Sequence, residues 1–290
     1  MDHLVVERRP ELHDPVAIIA FAGWNDAASA ATNAARFVVR RLGARKFAHM
    51  DPEDFFDFTD ARPAVRIDSN QNRVISWPSC EFFYARNPLG PHDVIVAIGV
   101  EPHLRWRTFA DAYASLFADL KASLIISVGA LMADVPHTRP VRVTGTAIDP
   151  ATGERLQLAT SRYQGPTGIV GVLSDNLRQR DLPTASLWAS VPHYITTAQN
   201  PPATIALLQR LQPLIGGLEF DFTELNGAAE RFIREVNTAL SGNPDILTYV
   251  SKLESAIDSG EPPETASALP PAGDLVTDIE EFLRNQKGND

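Results

Sequence analysis

The chain has 290 residues, 44% of them hydrophobic, and a formal charge of −10, so it can bury one large core and is too acidic to suit a phosphate-binding nucleic-acid partner. A single cysteine, Cys80, excludes an internal disulfide and a cysteine-based zinc site, and no apolar run reaches the roughly 20 residues that a bilayer-crossing helix needs. These features predict a cytoplasmic protein with neither nucleic acid nor membrane as partner.

In chain order, Val16 to Ala20 is apolar without alternation and predicts a strand covered on both faces, and the alanine-rich run from Ala27 predicts a helix packed closely on it. Gly23, Trp24, Asn25 and Asp26 lie between them. Asn25 or Asp26 can cap the helix, or the turn can form the edge of a pocket at the carboxyl end of a parallel strand. Arg45 to Phe58 predicts a strand with an irregular return around Asp51-Pro52. The short apolar runs Val65–Ile67, Val74–Trp77 and Cys80–Tyr84 predict a meander attached to the main sheet, with Cys80 as a small core residue. Asp93–Gly99, Thr108–Leu120 and Leu124–Gly129 follow as strand, helix and strand, a βαβ unit with a right-handed crossover.

Arg142–Ile148 and Leu156–Ala159, joined by the turn Asp149–Glu154, predict a hairpin. Gly168–Leu173 then leads through a cap at Ser174-Asp175 into a short helix, Ala185–Val191 is another buried strand, and Pro202–Ile215 is a helix that closes the sheet from one side. From Thr223 onward the pattern is helical only, at Thr223–Leu240 and Pro244–Ile257. Ser259–Ala272 holds four prolines and reads as a linker. The last predicted helix, Gly273–Arg284, places Leu275, Val276, Ile279, Phe282 and Leu283 on one side and Asp278, Glu280 and Glu281 on the other, so it is expected to dock on its own or a neighbouring subunit. The division is a core over 1–222, a helical extension over 223–258, a linker over 259–272 and a final amphipathic helix over 273–290.

A glycine or polar group follows each buried strand, and parallel strands would gather these groups on one edge. The candidate ligand-binding residues are therefore Gly23, Trp24, Asn25, Asp26, Gly99, Glu101, His103, Gly129, His193 and Tyr194, with Arg105 or Arg107 nearby. The structural alternative makes Asp26 and Glu101 caps or ion-pair partners, and His193 a hydrogen-bonded structural histidine. A P-loop, a Gly-x-Gly-x-x-Gly turn, a Gly-x-Ser-x-Gly elbow and metal-ligand histidine spacings are all missing, so no cofactor, metal or catalytic residue is assigned. Trp24, Trp77, Trp106 and Trp188 are expected as core or interface anchors.

Several phrases carry a resemblance: Ala20-Phe21-Ala22-Gly23-Trp24-Asn25-Asp26, Glu101-Pro102 after Val94–Gly99, Val128-Gly129-Ala130, Gly165-Pro166-Thr167-Gly168-Ile169, and Pro192-His193-Tyr194. Together, over roughly residues 14 to 260, they resemble the PAC2 family (proteasome assembly chaperone 2-like) in its bacterial branch. The resemblance implies a three-layer α/β/α sandwich with a mainly parallel central sheet, similar to nucleoside phosphorylases and related hydrolases, plus C-terminal helices. Its functional implication is a non-enzymatic assembly chaperone or interaction scaffold, acting as a homo-oligomer and able to take another protein as partner. The alternative is a protein or enzyme that holds a nucleoside- or phosphate-like ligand in the strand-end cleft.

Overall fold

The computed structural model describes residues 3–161, 164–195 and 199–260. Strands β1 (Leu4–Val6) and β2 (Val16–Ala22) precede helix α1 (Ala30–Leu42), and β3 (Arg45–Met50), β4 (Ala64–Ile67), β5 (Arg73–Ser76), β6 (Cys80–Ala85) and β7 (Val94–Val100) lead to α2 (Trp106–Asp119). Then come β8 (Leu124–Ala133), β9 (Val143–Ala147), α3 (Pro150–Leu156), β10 (Ala159–Thr160), α4 (Ile169–Gln179), β11 (Thr184–Pro192), α5 (Pro201–Ile215), α6 (Thr223–Leu240) and α7 (Pro244–Ser259).

Nine strands form one sheet in the order β1-β3-β6-β7-β2-β8-β11-β9-β10. Its centre, β7-β2-β8-β11, is parallel, and antiparallel strands flank it. Alternate side chains of β2 explain why that strand is apolar throughout: Ala17, Ile19 and Phe21 enter the core under α2 and α4, whereas Val16, Ile18 and Ala20 enter the core under α1 and α5. The first core is aromatic, with the Tyr113 ring 4.7 Å from both Phe82 and Phe109. The second is built close, because α1 meets the sheet through Ala30, Ala31, Ala34 and Ala35. Cys80 is fully buried, and burial pushes its thiol up to about 12. The three-layer α/β/α sandwich is therefore present. Helices α6 and α7 build a third, smaller core with Tyr194 and Ile195, which follow β11.

Three local expectations are corrected. Residues 149–156 are not a hairpin turn: Asp149 accepts a hydrogen bond from the Thr152 amide at 2.8 Å and Pro150 opens helix α3, so β10 returns parallel to β9. Residues 169–173 are already helical, because Ile169, Val170, Leu173 and Leu177 share one buried face of α4 and Ser174 lies inside it. Of the expected meander only β6 joins the main sheet; β4 and β5 pair with each other alone. The predicted final helix and all of the linker after Gly260 lie outside the described residues.

Candidate functional site at the carboxyl ends of the parallel strands

Strand direction brings the predicted groups to one edge of the sheet, where they separate into two clusters. In the first, Gly23 turns the chain after β2 with φ +119°, a conformation that favours glycine, and places Asn25 and Asp26 under the neighbouring strands. The Asn25 carbonyl accepts the Ala130 amide at 2.9 Å, which ties the turn to β8. The Asn25 side chain, buried, donates from Nδ2 to Glu101 Oε1 at 3.0 Å. The same Glu101 oxygen accepts the Ile169 amide at 2.8 Å, so one carboxylate joins the turn after β2, the end of β7 and the first turn of α4. Gly168 makes this approach possible, since a Cβ there would stand 2.6 Å from Glu101 Oε1.

Asp26 is engaged in the other direction. Its carboxylate accepts the Ala31 amide at 2.7 Å and the Thr32 hydroxyl at 2.5 Å, capping α1 across a turn in which Ala28 and Ser29 both adopt positive φ. Burial raises the Asp26 carboxyl above its ordinary value of 3.8, against the opposing pull of these hydrogen bonds. A carboxyl whose folded value is raised adds stability that is complete below pH 3.8 and is lost as pH rises through the folded value. Asp26→Asn keeps an acceptor for Ala31, so melting curves of that variant are expected to lack this decline. Asp26→Ala removes the cap and is expected to cost about 1–2 kcal/mol in chemical denaturation at pH 7.

The remaining predicted residues have other surroundings. Gly99 and Gly129 lie within β7 and β8 and serve packing: a Cβ at Gly99 would stand 2.1 Å from Cys80 Sγ, and one at Gly129 2.3 Å from the Trp188 ring. Gly129→Ala is therefore expected to destabilise the fold by about 1–3 kcal/mol through overpacking, measured by urea unfolding. His103 turns away to Asp60 at 2.9 Å and packs on Phe56, and Arg105 pairs with Asp54 at 2.6 Å. Trp24 is 66% exposed and so anchors no core.

His193 and Tyr194 belong to the second cluster, between the ends of β8 and β11 and the helices α6 and α7. His193 Nδ1 lies 3.1 Å from Asp134, and Tyr249 of α7 donates to Asp134 at 3.3 Å. Burial, reinforced by Asp134, pushes the Tyr249 phenol up to about 12. The Tyr194 hydroxyl accepts the His137 amide at 2.9 Å and lies 2.8 Å from His137 Nδ1, and His137 Nε2 lies 2.9 Å from Asn237 Oδ1 on α6. Asn237 Oδ1 can only accept, so Nε2 carries a proton, and in the neutral imidazole that burial favours, Nδ1 receives the tyrosine proton. Burial accordingly lowers the His137 value. Next to this network, His137, Asn200, Arg142, Ser190 and Phe232 line a cleft of about 370 Å³. His137 and Asp134 were missed in the sequence because β8 runs to Ala133, four residues beyond Gly129, and Asn237 because it sits on α6, 100 positions from His137. Placing the strand end there would have drawn attention to Asp134 and His137 by the same rule that selected His193. Among the described residues no group of acidic, histidine or cysteine side chains could hold a metal ion, and no helix is long and apolar enough to cross a membrane.

The fold agrees with comparison to known proteins. A family model described as the PAC2 family matches residues 20–240. The chain belongs to the PAC2 family. A PAC2 family protein from Streptomyces avermitilis is 38% identical with a TM-score of 0.76, the match covering 82% of this chain and 100% of the other. A proteasome-assembly chaperone homologue of Mycobacterium tuberculosis is 36% identical with a TM-score of 0.73, covering 81% of this chain and 99% of its own. An archaeal proteasome activator from Pyrococcus furiosus shares the fold at 22% identity and a TM-score of 0.65, covering 82% of this chain and 100% of its own. No curated protein matches the chain. Within this PAC2 chain the residues of the phrase Gly23-Trp24-Asn25-Asp26 divide their tasks: Gly23, Asn25 and Asp26 build the joint, and Trp24 faces solvent.

Proposed function

We propose that this PAC2 protein is a non-enzymatic assembly chaperone or interaction scaffold that works as a homo-oligomer, with proteasome subunits as its class of partner. The observation that carries the reading is the 36% identity, over nearly the whole of the other chain, to a proteasome-assembly chaperone homologue. The geometry supports it in two ways. Asp26 and Glu101, the acidic groups best placed for chemistry at the strand ends, are held by backbone amides and Thr32 and Asn25 side chains. Around them the carboxyl edge presents apolar side chains instead: Trp24 after β2, Leu104 after β7, and Leu131 and Met132 at the end of β8, all exposed. Beyond Val128, β8 leaves β2 but stays paired with β11 as far as Ala133, which holds Leu131 and Met132 at this edge. Exposed apolar groups along one edge suit a protein partner.

The test is reconstitution. With light scattering to fix its mass, the purified protein is mixed with proteasome subunits of the source organism; faster or more complete assembly is expected, and no change at stoichiometric excess contradicts the reading. The second reading, a small polar ligand, draws support from the cleft beside His137 and Arg142. It predicts thermal stabilisation by a nucleoside or sugar phosphate that Arg142→Ala removes.

A further inference from the structure

The hairpin formed by β4 and β5 stands apart from the nine-stranded sheet. Its register sets Val65 opposite Ile75 and Ile67 opposite Arg73, so Val65, Ile67 and Ile75 share one face, which Trp77 continues two residues further on. Ile67 is 61% and Ile75 56% exposed, and Val65 and Trp77 are about as open. The Phe58 ring, 4.8 Å from that of Trp77, fixes only the base of the hairpin. A two-stranded hairpin with a bare apolar face is marginal in water, so a cover is needed.

Charge decides what the cover is. Arg66 lies on the other face of the hairpin, but Arg73, opposite Ile67, lies on this one, and neither it nor the exposed Arg62 beside the hairpin forms an ion pair among the described residues, whereas Asp68 is engaged by the Asn70 and Asn72 amides of its own turn. A second hairpin laid on the first would bring these guanidiniums together. An occupant both apolar and acidic would satisfy them. The sequence holds such a segment: Leu275, Val276, Ile279, Phe282 and Leu283 recur at helical spacing, with Asp278 and Glu280 bordering that stripe.

We propose that the Val65–Ile67–Ile75–Trp77 face is the docking site for residues 274–284 of the same chain. Reach supports the same-chain assignment. Strand β6 starts opposite the end of β7, which brings the hairpin to the carboxyl edge of the sheet, and Tyr249 places α7 at that edge beside Asp134. The linker starts at Gly260, beside Val141 and Arg142 just before β9, and between β6 and β9 lie five strand spacings, about 24 Å. A linker of about 13 residues averages roughly 20 Å when flexible and reaches more than about 40 Å when extended. A tethered segment also has an effective concentration on the order of millimolar, which favours it over a neighbour's.

Disulfide trapping in the full chain tests this, since the native Cys80 is buried and does not compete. Ile67→Cys with Ile279→Cys is expected to oxidise to an intrachain disulfide at least about tenfold faster than Lys121→Cys with Ile279→Cys, whose first position is exposed at the opposite edge of the sheet. Adding Arg73→Glu is expected to slow trapping several-fold, and Asp278→Arg to restore it. Unchanged circular dichroism shows that the exposed replacements leave the fold intact. Equal rates for the two cysteine pairs, a disulfide formed between chains, or a rate indifferent to charge reversal would overturn the proposal.

Discussion

Replacing Glu101 by alanine is expected to be among the most damaging single changes at the strand ends, lowering stability by about 2–3 kcal/mol and loosening α4 before the rest of the sheet. The carboxylate accepts two hydrogen bonds that no other group is placed to take, one from the buried Asn25 amide and one from the Ile169 backbone. Removing it leaves a helix N-terminus without its negative partner and a buried amide without its acceptor, and each loss is larger than the removal of a solvated ion pair. Glu101→Gln retains an oxygen acceptor and is expected to cost only about 1 kcal/mol. Gly168→Ala approaches the same joint from the other side, because its methyl group would push the carboxylate off both donors. A double-mutant cycle measures the connection: in the Glu101→Ala background the cost of Gly168→Ala should fall well below its cost in the parent protein. Additive costs would show that Glu101 and α4 are not linked as described.

The second large effect concerns the attachment of the helical extension. Tyr194→Phe deprives the His137 amide and Nδ1 of their common partner and is expected to cost about 2 kcal/mol, lowering the melting temperature by roughly 4–8 °C. The pH dependence has a defined sign. Burial lowers the His137 value from its ordinary 6.5, so the stability it contributes is complete above pH 6.5 and is lost as pH falls through the folded value. Protonation puts a hydrogen on Nδ1, where the tyrosine proton now sits. Amides in α6 and α7 are therefore expected to exchange faster at pH 5.5 than at pH 7 after correction for intrinsic rates, and His137→Gln should remove most of that difference. The Arg139 contacts to Glu254 and Asp258 on α7 are more exposed and should contribute less.

Much of this arrangement was legible in the residues. Continuous apolar runs at Val16–Ala20, Asp93–Gly99 and Leu124–Gly129 identify strands buried on both faces, and the parallel direction that follows brings their carboxyl ends to one edge. The capping role of Asp26 was legible for the same reason, since a carboxylate beside an alanine-rich helix start has few other partners. Long-range pairing was not. Nothing local to Glu101 reveals that its second partner is the amide of Ile169, 68 positions away, and nothing local to Tyr194 reveals His137. The misread segments share a cause as well. Around Pro150 and Gly168, the residues that favour turns also favour the first turn of a helix, and only packing decides between them.

On the proposed reading, ionisable groups at the strand ends hold the fold together while the exposed apolar side chains around them meet the partner. Assembly of proteasome subunits, measured below every variant's melting temperature, separates these roles most directly. Trp24→Ser with Met132→Ser is predicted to abolish the stimulation of assembly without lowering the melting temperature, and Glu101→Gln to lower the melting temperature and leave stimulation intact. Full stimulation by the Trp24 and Met132 variant, with loss in Glu101→Gln, would contradict the account.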